Sequence, residues 1–332
     1  MTTAIRRDRV GWPDLLWLTW RQHRWQLLTV GGGAVLGSLV WLALAWLINS
    51  TGTTDHGFWF IGGLRGPSQL IAELPAAGAA VIAVFWAAPL LSREYEQQTH
   101  LLVWSQDLPP TRWLLGKVVL LGVPAVGLSA GFGAAVLVLL DAVNEAMPQV
   151  PGRGYYVPFS PFSSLSFEAA PLVQVGYAAF GFALGLAFSA LTRRTVLSMG
   201  LTLGAFVTVR FLVGNVWRPH FMTPVRTYEM YEPRFRDPTV VDDQRVGSMH
   251  IRGGYADAAG REVPFPSVCS DGYRGGDEDN YIKCVTDHGV VQYFTDFHPA
   301  DRVVPFQLIE FGVFAVLAAG LLAVAFTRVR RR

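Results

Sequence analysis

Residues 27 to 48 read "LLTVGGGAVLGSLVWLALAWLI" and contain no charged side chain. A helix needs about 20 apolar residues to cross the roughly 30 Å hydrocarbon core of a bilayer. This stretch therefore predicts a transmembrane helix. We do not interpret it as a signal peptide, because it is long, lies more than 20 residues from the start and is followed by no small-residue cleavage site.

Five further apolar stretches have the length of a membrane span. The chain is 51% hydrophobic and only 16% charged, which is unusual for a soluble domain. Its net charge of +2, with scattered Lys and Arg, does not indicate a nucleic-acid surface. We predict an all-α polytopic membrane protein with six transmembrane helices, the other five at about 74–91, 116–140, 171–191, 196–213 and 306–326.

The distribution of Lys and Arg in the short loops predicts the orientation, since these residues favour the cytoplasmic side. They are concentrated in the N-terminal segment, the loop after the second span, the "TRRT" hairpin at 192–195 and the C-terminal tail. The two short loops on the other side contain only Arg65 and Arg153. We therefore expect both termini in the cytoplasm and a multi-pass protein of the bacterial plasma membrane.

The segment before the first span, residues 1–26, is predicted to be a separate interfacial unit. The sequence "WPDLLWLTWRQHRWQLL" at 12–28 interleaves Trp and Leu with Arg21, His23 and Arg24, as in a helix that lies along the headgroups. The alternative is that this segment is only the water-exposed end of the first span. Residues 56–74 resemble a second interfacial segment, on the external side.

The long loop at 214–305 differs in composition from the spans on either side, 27–213 and 306–332. It is rich in Pro, Gly, Asp, Tyr and Arg, which predicts an external subdomain of short strands and turns. It contains both cysteines, Cys269 and Cys284, which predicts a disulfide in an oxidising compartment, the alternative being two free thiols. We predict no metal site, because no ligand pattern fits the loop's candidates, His288, His298, Asp287, Asp296 and Asp301.

A polar loop separates the second and third spans. Residues 90–117 read "LLSREYEQQTHLLVWSQDLPPTRWLLGK". Helix formers at 92–104, with Ser92 as N-cap and Glu94 and Glu96 in the first turn, predict a short cytoplasmic helix. Prolines 109 and 110 would open the next helix, and Lys117 could extend to the headgroups. Such a rigid charged helix indicates a docking surface for a soluble subunit.

The run "SREYEQQTHLLVWSQDLPPTRWLLGKVVLL" at 92–121 resembles the cytoplasmic loop of ABC-2-type permeases. An acidic E-x-E stretch, a Thr, a Leu pair and a GK dipeptide recur there in the same order. "LTWRQHRWQLL" at 18–28 resembles the openings of actinobacterial members, and the topology is similar to the type V exporter fold, although the external loop is longer. The resemblance implies that segment 92–115 couples to an ATP-binding subunit, through Arg93, Glu94, Glu96, Thr99, Leu101, Leu102 and Trp104.

The chain lacks the G-x-x-x-x-G-K-[ST] phosphate loop, and glycines 31–33 lie inside a span as helix-packing residues. We therefore expect no enzymatic activity and no cofactor in this chain, with ATP and Mg²⁺ bound by a separate ATP-binding subunit. Membrane-enzyme motifs such as H-E-x-x-H and G-x-S-x-G are also missing. Two copies of this chain, or this chain and a related permease, would form the pathway within the membrane lipid.

Ionisable side chains at membrane depth are candidates for function. Arg210 and Glu310 fall near the external ends of spans five and six, where they could form an ion pair, contact a substrate or reach water. Asp141 and Gln174 are further polar positions in the spans. The sequence favours the permease subunit of an ABC exporter. The alternative is a membrane-anchored sensor or assembly protein whose external domain binds a ligand.

Overall fold

A computed structural model of the protein describes residues 11–51, 74–75, 77–99, 109–146, 159–231, 247–269 and 278–331. Six helices in these ranges are long and apolar enough to cross a membrane, as predicted. The helices, in chain order, are α1 (Trp12–Thr51), α2 (Ala77–Glu96), α3 (Pro110–Ala146), α4 (Ser164–Ala169), α5 (Pro171–Thr192), α6 (Thr195–His220), α7 (Glu278–Asp287) and α8 (Val303–Arg330). All except α4 and α7 are candidate spans.

Helix α5 lies at the centre of the bundle, with α2, α3, α6 and α8 around it. It is apolar on every side, as expected of a helix that is buried all round. Gly185 allows α2 to approach closely, because a Cβ atom at this position would lie 2.7 Å from the carbonyl oxygen of Ala83. A larger residue there would separate the two helices.

Helix α1 lies at the edge of the bundle and packs mainly against α3. It runs without a break from Trp12 to Thr51, so the predicted boundary between a separate unit 1–26 and the first span falls inside one helix. The predicted interfacial residues 12–26 and the first span therefore belong to one continuous helix. The physical reason is that residues 14–30, around the predicted boundary, contain neither glycine nor proline, and Pro13 sits in the first turn where proline is tolerated. The predicted interfacial segment at 56–74 lies, except for Leu74, outside the described residues.

Three of the described spans contain π-helical turns, at Ile82–Ala87 in α2, Val118–Gly122 in α3 and Leu212–Trp217 in α6. Such turns are rare and frequently occur at functional sites. The one in α6 is followed by a 3-10 turn, Arg218–His220, so the helix continues beyond the predicted end of the span at 213.

A four-stranded antiparallel sheet connects α6 to α8. Its strands are β1 (Val225–Met230), β2 (Met249–Ala256), β3 (Glu262–Val263) and β4 (Gln292–His298), in the order β1-β4-β2-β3. The loop thus contains the predicted strands, and the term all-α applies only to the bundle. We call the end of the bundle next to this sheet the sheet end, and the opposite end, where α5 turns into α6 at Arg193 and Arg194, the turn end.

The structure contains the predicted disulfide between Cys269 and Cys284. The bond joins the 3-10 turn Ser267–Cys269 to α7, beside a small core that includes Tyr281 and Val285. His288 lies near both sulfur atoms. Because the two sulfurs are bonded to each other, neither is a thiolate that could bind a metal with His288.

Candidate functional site

Residues 92–96, predicted to begin a separate cytoplasmic helix, form the last turn of α2 instead. Ser92 is not an N-cap but a buried residue inside α2, where its hydroxyl donates to the carbonyl oxygen of Ala88 at 2.9 Å. The amide of Ser92 donates to Ser189 Oγ at 2.6 Å, which fastens α2 to α5. Helix α2 ends at Glu96, so Glu94 and Glu96 occupy a helix C-terminus, where the dipole disfavours acids. They therefore need other partners.

Glu94 accepts a charge-assisted hydrogen bond from Lys117 of α3. The prediction that Lys117 extends to the headgroups is wrong, because its side chain is only 1% exposed and its ammonium group lies 4.6 Å from the centre of the Trp113 ring. A buried ammonium group needs a counter-charge, and Glu94 supplies it. Glu94 therefore joins α2 to α3.

Glu96 joins α2 to α6. Its carboxylate accepts hydrogen bonds from the backbone N–H of Thr195 at 2.9 Å and from the Thr195 hydroxyl at 2.7 Å. It thereby caps the first turn of α6, where the helix dipole favours a negative charge. In the adjacent turn, Arg193 has a left-handed backbone (φ 55°) and its guanidinium lies 5.6 Å from the ring centre of Tyr95.

The four predicted coupling residues that the structure describes fall into two groups. Glu94 and Glu96 bind other spans, whereas Arg93 and Thr99 are exposed at the turn end. Leu101, Leu102 and Trp104 lie outside the described residues. The end of α2 is therefore connected firmly to both α3 and α6, and its outer surface is exposed.

A cleft separates α1 from α2. Its turn-end part is a groove of about 430 Å³, lined by Gln22, His23, Trp25 and Gln26 of α1, by residues of α2 from Trp86 to Glu94, and by Gln97 and Thr99. One helical turn deeper lies a cavity of about 290 Å³ between the same two helices, with Leu128, Ser129 and Phe132 of α3 and Gln174 of α5 behind it. Gln174 is fully buried, and its Nε2 donates to the carbonyl oxygen of Glu168 at 2.7 Å.

The sheet end contains a buried ionic cluster. The guanidinium of Arg218 donates from Nε and Nη2 to the two carboxylate oxygens of Glu310, both at 2.8 Å, in a bidentate pair. Tyr177 donates its hydroxyl hydrogen to Glu310 at 2.5 Å. Arg210 pairs with Glu168, which also lies 3.5 Å from Arg218. Two acids and two guanidinium groups therefore balance each other.

This cluster corrects the predicted pairing of Arg210 with Glu310, since each has a different partner. Sequence reasoning missed Glu168 and Arg218, because both were placed in loops outside the predicted spans. The signal that could have found them is their position, immediately before one apolar run and immediately after another, which places both charges at the same end of the bundle.

Asp141 lies at the sheet end of α3, where it lines a second cavity of about 430 Å³ together with Glu145 and Gln307. In the sheet, Asp296 accepts hydrogen bonds from Arg226 at 2.7 Å and Arg252 at 2.9 Å. The bond from Arg226 is the main cause that lowers the pKa of Asp296 below its ordinary value. Both carboxylate oxygens of Asp296 therefore accept hydrogen bonds from guanidinium groups.

His298 lies at the end of β4, where the sheet meets the bundle. It is buried, and its Nε2 lies 3.0 Å from the carbonyl oxygen of Pro219. Burial lowers the pKa of His298 below its ordinary value, and the nearby Arg302 acts in the same direction. This histidine is therefore held neutral in the folded protein at neutral pH.

The comparisons with known proteins give one match. Residues 62–218 fit the sequence model of a family described as ABC-2 membrane transporter related. Comparison with curated proteins and with solved structures gave no match. The matched range contains α2, α3, α4, α5 and all but the last two residues of α6, together with the bonds that Glu94 and Glu96 make between these helices. Residues 62–218 of the chain are therefore similar to the family of ABC-2 membrane transporter related proteins.

Proposed function

We propose that this protein is the membrane-spanning permease subunit of an ATP-driven ABC exporter in the bacterial plasma membrane. The observation that carries the proposal is the family match over residues 62–218. The six apolar helices support it, because they provide the multi-pass membrane part that such a subunit needs.

In this proposal the turn end faces the cytoplasm. Arginine side chains are numerous there, and positive residues in short loops favour the cytoplasmic side. They include Arg21, Arg24, Arg93, Arg112, Arg193 and Arg194. The opposite end carries the disulfide, as expected for an oxidising external compartment.

A separate ATP-binding subunit, which holds ATP and Mg²⁺, would dock on the segment that follows α2. The structure suggests how a push on this segment reaches the pathway. Glu94 transmits a displacement of α2 to Lys117 of α3, and Glu96 transmits it to Thr195 of α6. Three spans would then move together, as packed rigid elements do.

The pathway would be completed by a second copy of this chain or by a related permease. Helix α1 leaves large apolar side chains exposed, among them Leu36, Leu39 and Trp46. In a bilayer these face lipid or another subunit. The membrane-anchored sensor is the second candidate, and the observation in its favour is the folded sheet with its disulfide.

The proposal is tested by co-expressing the full chain with a candidate ATP-binding subunit from the same genome, purifying the chain by an affinity tag and measuring ATP hydrolysis. We expect an ATPase that co-purifies in a fixed ratio and hydrolyses ATP. Recovery of the chain without any ATP-binding subunit, in a membrane fraction that contains one, would favour the sensor.

A further inference from the structure

The cleft between α1 and α2 opens at the turn end beside the segment proposed to receive the ATP-binding subunit, and Arg93, Glu94 and Thr99 line that opening. Its lining on α1 extends from Gln22 in the turn-end groove to Ala34 in the deeper cavity. At 1.5 Å per residue this is about 18 Å. One leaflet contributes about half of a hydrocarbon core of roughly 30 Å. The cleft therefore has about the depth of one leaflet, with its polar opening at the turn end.

The deeper cavity is apolar and open to the side. It is lined mainly by Val30, Val81, Ile82, Leu128 and Phe132, with glycines between them. Val81 is 46% exposed, so the cavity is not sealed from the outer surface of the bundle. At this depth the outer surface faces hydrocarbon, and what enters from there is an acyl chain.

Polar atoms along the cleft lack hydrogen-bond partners among the described residues. Trp86 lines the groove and is 2% exposed, yet its Nε1–H donates to no acceptor there. Two further buried atoms lack a hydrogen-bond partner among the described residues: Nε2 of His23 on the facing helix and the amide oxygen of Gln174 at the inner wall. Buried polar atoms are normally hydrogen-bonded, so these atoms indicate a ligand with its own polar atoms.

The charge around the groove is positive. Arg93 lines it, and the guanidinium of Arg24 lies 5.6 Å from the ring centre of Trp25, which also lines it. The acid in the groove, Glu94, is neutralised by Lys117. Basic pockets between transmembrane helices bind acidic lipid headgroups.

We propose that the cleft between α1 and α2 binds an acidic amphiphile of the phospholipid class. Its headgroup lies in the groove beside Arg93, where its oxygen atoms accept from the Trp86 indole. One acyl chain occupies the deeper cavity between Val30 and Val81. A hydroxyl or a water molecule beside the chain satisfies Gln174. This inference uses the proposed function only to assign the site to the cytoplasmic leaflet.

Native mass spectrometry of the purified, delipidated full chain tests the proposal. Phosphatidylglycerol is the probe, and phosphatidylcholine with the same acyl chains is the comparison. The filling variant is Gly33→Leu, because Gly33 lines the cavity and a Cβ atom there meets nothing within 4 Å. The matched control is Gly32→Leu, whose Cβ atom also meets nothing within 4 Å and which does not line the cavity.

We expect the wild-type chain and Gly32→Leu to retain one phosphatidylglycerol in preference to phosphatidylcholine. Gly33→Leu should bind it about tenfold more weakly or worse, a loss of about 1.4 kcal/mol or more in binding free energy, because the new side chain occupies the space of the acyl chain. Gly78→Leu, which fills the cavity from α2, should behave in the same way and covers the case in which Gly33→Leu does not fold. Arg93→Gln should reduce the preference for the acidic headgroup.

Equal phosphatidylglycerol binding by Gly33→Leu, Gly78→Leu and the wild-type chain would overturn the proposal. A loss of self-association in the filled variants without a loss of lipid would also overturn it, and would assign the cleft to a second copy of the chain. These measurements need neither ATP nor an ATP-binding subunit. Their failure is therefore distinct from a failure of the proposed transport function.

Discussion

At the scale of single residues, the charges inside the bundle occur in matched pairs. Glu310 is fully buried and accepts from Arg218 and Tyr177. Lys117 is buried against Glu94. Loss of one member of a buried pair leaves an uncompensated charge, which is costly. We therefore expect substitutions of these residues to lower the stability of the folded protein, whatever their effect on transport.

Glu310→Gln is expected to destabilise the protein by about 3 to 5 kcal/mol, because Arg218 loses its main counter-charge in a buried site. The change is measured as a fall in melting temperature of the purified chain in detergent. Glu262→Gln is the control, since Glu262 also accepts from arginine but is 46% exposed in the sheet. Equal shifts in the two variants would contradict the importance assigned to the buried cluster.

Glu94→Lys is expected to lower the yield of folded protein strongly, because it places a second cation beside buried Lys117. Adding Lys117→Glu restores the opposite charges, and we expect this double variant to regain much of the lost stability. Arg93→Glu, at the exposed neighbouring position, is the control and should fold normally. A charge swap no better than the single change would show that the pair does not determine stability.

His298 predicts a dependence of stability on pH. Its pKa in the folded protein is below the ordinary value of 6.5, chiefly because it is buried. As the pH falls through 6.5, the unfolded chain therefore binds a proton at this histidine more readily than the folded chain does. The folded state keeps its full stability with respect to this group above pH 6.5 and loses stability below it. Between pH 7.5 and 5.5, wild-type protein should lose more thermal stability than His298→Gln.

At the scale of helices and strands, hydropathy predicted which segments span, because crossing a bilayer requires a fixed length of apolar helix. It did not predict where the helices end. Helix α2 continues through Ser92 because Ser189 of α5 binds the backbone there, and α6 continues to His220 through a π-helical turn. These contacts join residues far apart in the chain. The partners of Arg210 and Glu310 were missed because they too lie far away in the chain. The disulfide was predicted because the chain has only two cysteines.

The bond from Glu96 to Thr195 should control the order of the first turn of α6. In Glu96→Ala this turn loses the cap on its first amide. Hydrogen exchange at residues 195–198 should become faster than in the wild-type chain, while exchange at the centre of α6 stays unchanged. Gln97→Ala, at the next exposed position, is the control. Unchanged exchange at the start of α6 would mean that α2 and α6 are not joined through Glu96.

At the scale of the whole molecule, the protein is a helical bundle with different chemistry at its two ends. The turn end has many arginines and presents the segment that follows α2, and the sheet end has a disulfide-bonded sheet above a buried ionic cluster. Because Glu94 and Glu96 are bound to other spans, a partner at the turn end would contact the exposed surface near Arg93 and Thr99 instead. We propose that this surface receives an ATP-binding subunit.

Site-directed cross-linking in the assembled complex tests this claim most directly. A cysteine replaces Thr99 at the turn end or, in the control, Ala258 in an exposed turn of the sheet, and a photoactivatable thiol reagent is attached to it. We predict that irradiation links Thr99→Cys to the ATP-binding subunit and leaves Ala258→Cys without such a product. Cross-linking from Ala258→Cys, or none from Thr99→Cys in a complex that hydrolyses ATP, would contradict the account.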